Sequence, residues 1–142
     1  MGKNVAAQFQ ECLKSGKIKT AAGLAELANK ELRVAEGDLQ VALDGLKNSR
    51  WKWCIIQSYY VMFHAARALL FLKGYRERSH YCLRVAVEHL YESVIPQYLV
   101  DDFQTAKIMR ENADYEENFS ESGAKKIVKS AEVFLLFAKG II

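Results

Sequence analysis

The stretch RWKWCIIQSYYVMFHAARALLFLKG, residues 50–74, decides the fold. Apolar side chains crowd every side of it: Trp51, Trp53, Ile55, Ile56, Tyr59, Tyr60, Met62, Phe63, Leu69, Leu70 and Phe71. A helix apolar all round belongs at the centre of a bundle, covered by its neighbours. Its polar exceptions share one face, because Gln57, Tyr60, His64 and Arg67 follow at steps of three, four and three. Left bare in a core, each would cost roughly 1–3 kcal/mol. They must therefore pair inside, line a pocket or meet a second copy of the chain. Gly74 is the expected stop.

Working outward, residues 20–48 carry one apolar stripe, Leu24, Leu27, Leu32, Ala35, Leu39, Ala42 and Leu46, with Thr20 as N-cap and Asn48-Ser49 as break. Val5–Leu13 forms a short amphipathic piece, so residues 1–19 read as a helical extension. Beyond the centre, Ser79 caps a helix over 80–94, and Pro96 suits the first turn of another over 97–117. Ser120 opens the last, with Ala124, Ile127, Val128, Ala131, Phe134, Leu135 and Ala138 inward. No alternating pattern longer than four residues suggests a strand. The expectation is a single domain over 1–142, all-α, an up-and-down bundle of four to five helices.

Composition agrees. Hydrophobic residues make up 51% and charged residues 26%, which excludes disorder, while one proline in 142 residues argues against a turn-rich β-sandwich. A chain of this length buries roughly 70% of its unfolded surface and needs no metal or disulfide to hold a core. Cys12, Cys54 and Cys82 form no CxxC pair, so reduced thiols and a cytoplasmic location are expected. Met1-Gly2-Lys3-Asn4 leads into no apolar run of signal-peptide length, and Val5 and Ala6 stand where a myristoylation motif prefers a hydroxyl. The longest strongly apolar run, Ala68–Leu72, is far short of the ~18–20 residues of a membrane span. No membrane contact is expected.

Charge is informative by place. Arg67, Lys73, Arg76, Arg78 and Arg84 stand against the single acid Glu77, whereas Glu111, Asp114, Glu116, Glu117 and Glu121 run without a base. A basic cluster draws phosphate or an acidic partner surface. Arg76, Arg78 and His80 also lie beside the N-terminus of the 80–94 helix, a place that suits anions. Arg110 and Asp114 are i,i+4 neighbours. The phosphate-loop, nucleophile-elbow and zinc-protease motifs are missing, and His80 with Cys82 is too few ligands for a metal. No cofactor or metal is expected.

The segment Gln57-Ser58-Tyr59-Tyr60-Val61-Met62-Phe63-His64-Ala65-Ala66-Arg67-Ala68-Leu69-Leu70 resembles the YYAMFHAARALL signature of HEPN (higher eukaryotes and prokaryotes nucleotide-binding) proteins. Lys73-Gly74-Tyr75-Arg76-Glu77-Arg78-Ser79-His80 resembles that branch's next motif, and Met109-Arg110-Glu111-Asn112-Ala113-Asp114-Tyr115 its third. Ala124–Ala138 fits its closing helix, so the resemblance covers roughly residues 25–140. It implies a bundle of four main helices, usually a homodimer. Many such proteins are metal-independent ribonucleases using an Arg-x4–6-His motif contributed by two protomers. Others only bind RNA or a protein partner. Small prokaryotic members are often encoded beside a minimal nucleotidyltransferase in a toxin–antitoxin-like pair.

On this resemblance the family's catalytic arginine falls on Arg110, but Asp114, Tyr115, Glu116 and Glu117 occupy the histidine's window. Neither an aspartate nor a tyrosine readily replaces histidine as a proton carrier near neutral pH. A literal match, Arg84-Val85-Ala86-Val87-Glu88-His89, lies on another helix, and its His89 reads as structural. The expectation is a binding module that partners a nucleotidyltransferase and contacts RNA or nucleotide phosphate through Arg67, Arg76, Arg78 and His80. One rival is a ribonuclease toxin assembled from His64, His80 and Arg110. Another is a protein scaffold that touches no nucleic acid.

Overall fold

The computed structural model describes residues 4–142; Gly2 lies outside them. In chain order the elements are α1 (Val5–Lys14), β1 (Ile18–Thr20), α2 (Ala28–Lys47), α3 (Trp51–Leu72), β2 (Tyr75–Glu77), α4 (His80–Leu90), α5 (Gln97–Tyr115) and α6 (Glu121–Ile141). The all-α bundle read from the sequence is the architecture found. α3 runs through its middle and packs against α2, α4, α5 and α6. Val61, Met62, Ala65, Ala66, Leu69 and Leu70 are fully covered there. By length and composition α3 alone among the described residues could cross a membrane, but most of it is buried by its neighbours.

The helix ends follow local chemistry. The Ser79 and Ser120 hydroxyls accept from Cys82 N–H and Gly123 N–H, capping α4 and α6. Pro96 immediately precedes α5. Asn48 closes α2 by donating to the Asp44 carbonyl at 2.8 Å. Gly74, at φ +84°, takes the left-handed turn that ends α3 and starts β2. α4 ends at Leu90, short of the expected 94, and Tyr91 then ties its end to α3 through the Leu69 carbonyl at 2.6 Å.

Three expectations are corrected. Thr20 caps no helix: it ends β1, and α2 starts only at Ala28, after a 3-10 turn over Ala25–Leu27. The helical spacing of Leu24 and Leu27 misleads, because Ile18–Thr20 is claimed by a partner distant in sequence. Two strands therefore exist where none was expected. β1 and β2 pair antiparallel, with Ile18 opposite Glu77, Lys19 opposite Arg76 and Thr20 opposite Tyr75. Finally, Cys12 and Cys82 form a disulfide that joins α1 to α4, leaving Cys54 free and buried. Seventy residues separate the two sulfurs, so no local motif could announce them.

Candidate functional site

α5 carries Arg110 to the side of α3 that presents Tyr59 and Tyr60. Its guanidinium carbon lies 5.4 Å from the Tyr59 ring centre, 5.9 Å from that of Tyr60 and 5.7 Å from that of Tyr115. One Nη donates to the Tyr115 hydroxyl at 3.4 Å. No carboxylate among the described residues pairs with it, and Nε is buried without a partner. The Arg110–Asp114 ion pair open to i,i+4 spacing does not form; Asp114 is exposed. A permanently charged, planar group held among aromatic faces with no carboxylate paired to it is suited to a phosphate oxygen.

His80 meets the same Tyr59. Its Nδ1 and the Tyr59 hydroxyl share a hydrogen bond at 3.0 Å, and its ring packs 4.6 Å from that of Phe103. Burial, aided by the charges of Lys107 and Arg84, lowers the His80 pKa to about 4, against the opposing pull of Gln104 and Glu111. Burial likewise pushes the Tyr59 hydroxyl up to about 12. At neutral pH both are therefore uncharged. His80 Nε2 is buried, so His80 presents no proton donor to a substrate resting on Arg110. The sequence left open whether His80 could reach Arg110; both meet Tyr59, His80 at its hydroxyl and Arg110 over its ring.

The other polar residues of α3 are engaged elsewhere. His64 Nδ1 is 2.8 Å from Glu31 and its Nε2 is 3.8 Å from Asp38, both on α2. Burial raises the Asp38 carboxyl, with His64 opposing. Arg67 donates twice to the buried Glu77, at 2.6 and 3.1 Å, and covers the Phe63 ring at 4.6 Å. His64 and Arg67 thus bind α3 to α2 and β2. Within one chain, no hydrogen bond among the described residues joins His64, His80 and Arg110, the trio considered from the sequence.

The Arg76–His80 corner divides. His80 turns inward, while Arg76 and Arg78 point outward on either side of Glu77 and are exposed. Sequence reasoning missed their company. Lys19 faces Arg76 across the ribbon, and Lys17 accepts the Arg78 N–H at its carbonyl, 2.9 Å away. Only the β pairing brings residues 17–19 to 76–78, and three-residue strands carry too little periodicity to show it. His89 is structural, its ring 4.9 Å from that of Phe9, and Arg84 pairs with Glu88. The acidic run finds its bases from outside: Lys107 pairs with Glu111, Lys52 with Glu117 and Lys125 with Glu121.

Residues 28–141 match the family model described as the HEPN domain. The chain is 32% identical over 117 residues to a UPF0332 protein of Archaeoglobus fulgidus, covering 78% of this chain and 91% of that one. It is 42% identical over 55 residues to a UPF0332 protein of Pyrococcus horikoshii, a match spanning 39% of each. This chain belongs to the HEPN family.

Proposed function

We propose that this HEPN chain is an RNA-binding module that does not cleave what it binds, working as a homodimer beside a minimal nucleotidyltransferase. One observation carries the reading: Arg110, where the family resemblance puts the catalytic arginine, sits among Tyr59, Tyr60 and Tyr115, and among the described residues no carboxylate pairs with it and no histidine bonds to it. An arginine and exposed tyrosines can hold a phosphate and stack a base. They cannot shuttle a proton from the 2′-hydroxyl to the leaving oxygen, a service worth ~10²–10⁴-fold in rate. The homodimer is supported by large apolar groups left exposed on α3 and α5 and in the turn after α5, namely Trp53, Tyr60, Ile108, Tyr115 and Phe119. The nucleotidyltransferase partner rests on the family resemblance.

Incubation with mixed single-stranded RNAs in EDTA tests the reading. The expected result is a mobility shift with the RNA intact. Cleavage that disappears in Arg110→Ala or His80→Ala would establish the ribonuclease instead. Absence of any shift would leave the scaffold.

A further inference from the structure

Ile18 and Glu77 point into the protein, so period-two alternation turns Lys17 and Lys19 of one strand outward beside Arg76 and Arg78 of the other. Four exposed cations flank the Ile18–Glu77 pair, Lys19 opposite Arg76 on one side and Lys17 beside Arg78 on the other. None forms an ion pair with any carboxylate among the described residues. Like charges directly opposite one another destabilise a ribbon, so the arrangement lacks its counter-charge within the chain. The support beneath is firm: Ile18 is 1% exposed, and the Cys12–Cys82 disulfide fastens α1, just ahead of β1, to α4. Beside Lys17 opens a cavity of about 550 Å³ over that disulfide, bordered by Tyr81, a residue 47% exposed. Glu11 lies on its α1 rim. β1 precedes residues 28–141, the span matched to the HEPN family, so half of this surface is built outside it.

We infer that the β1–β2 ribbon is a second RNA contact, separate from Arg110, in which Lys17, Lys19, Arg76 and Arg78 track the phosphate backbone of a single strand while Tyr81 stacks a base. Adjacent cations along each strand are about 7 Å apart, so the ribbon meets several phosphates rather than a single anion. A positive track flanked by an aromatic face is how single strands are held without regard to sequence. The inference rests on the RNA reading above and extends the footprint from α5 to the N-terminal extension.

The test is a fluorescence-polarisation titration of a mixed-sequence single-stranded RNA over a range of salt. It compares wild type with Lys17→Gln/Lys19→Gln, Arg76→Gln/Arg78→Gln, Tyr81→Ala and Arg110→Ala. Each double variant is expected to lower the log–log salt slope by ~1.4. Tyr81→Ala is expected to weaken binding with the slope unchanged, as loss of an uncharged contact should. Because the four charges are exposed and mutually repelling, the melting temperature of the double variants should hold or rise, which separates lost binding from lost folding. Unchanged slopes in both double variants, with binding lost in Arg110→Ala, would overturn the ribbon and leave the RNA reading standing. Lowered slopes with binding indifferent to Arg110→Ala would support the ribbon and remove the α5 site. No binding by wild type would overturn both.

Discussion

Tyr59 touches two groups that differ in how they answer to pH. Arg110, over its ring, is charged at every pH of interest, whereas His80, bonded to its hydroxyl, keeps its proton off until pH falls to about 4. An unfolded histidine takes a proton near 6.5. Between those values the unfolded chain binds the extra proton, so the stability contributed by neutral His80 is full above about 6.5 and declines as pH falls toward 4. We expect the urea midpoint to drop on acidification from pH 7 to 4.5, and to drop less in His80→Gln, which can still bond the Tyr59 hydroxyl. Equal drops in both proteins would contradict the burial of His80. Much at this scale was legible: Ser79 and Ser120 as caps, His89 as structural, and the lack of a histidine after Arg110. What His64, Arg67 and His80 touch was not, because Glu31, Glu77 and Phe103 come to them from other elements.

Among the elements, β1 and the start of α2 are the ones the sequence misrepresents. Its apolar stripe seemed to run unbroken from residue 20, because helical spacing in Leu24 and Leu27 outweighs a strand of three residues. The extension is secured by Ile18, Phe9 and the Cys12–Cys82 bond rather than by helix propensity. A crosslink across 70 residues stabilises by about 4 kcal/mol in chain-entropy terms, and here the part it restrains lies at one edge of the bundle. Reduction should therefore open the edge first. With a dithiol reductant, amide exchange over residues 5–20 is expected to quicken by at least about tenfold while α3 keeps its protection. Uniform loss of protection through α3 and α6 would show instead that the disulfide holds the whole bundle.

For the whole molecule, α3 at the centre could be read directly, since a helix apolar on all sides has few other places to go. Association could not be read so directly. Trp53 and Tyr115 remain 54% and 70% exposed, more aromatic surface than a small bundle comfortably leaves to water. A two-fold pairing through α3 or α5 would cover it and set two Arg110 sites near one another. Light scattering is expected to give twice the monomer mass of 16.2 kDa at micromolar concentration; the monomer mass throughout that range would contradict the pairing. The claim on which the account turns is that Arg110 grips RNA without cutting it. Equilibrium binding of a single-stranded RNA in EDTA, wild type against Arg110→Ala, measures this most directly. A loss of affinity of about tenfold or more, matching one charge-assisted contact of roughly 1.5–3 kcal/mol, is the predicted result. Equal affinity of the two proteins, or RNA that is shortened when recovered from the wild-type mixture and intact from the variant, would contradict it.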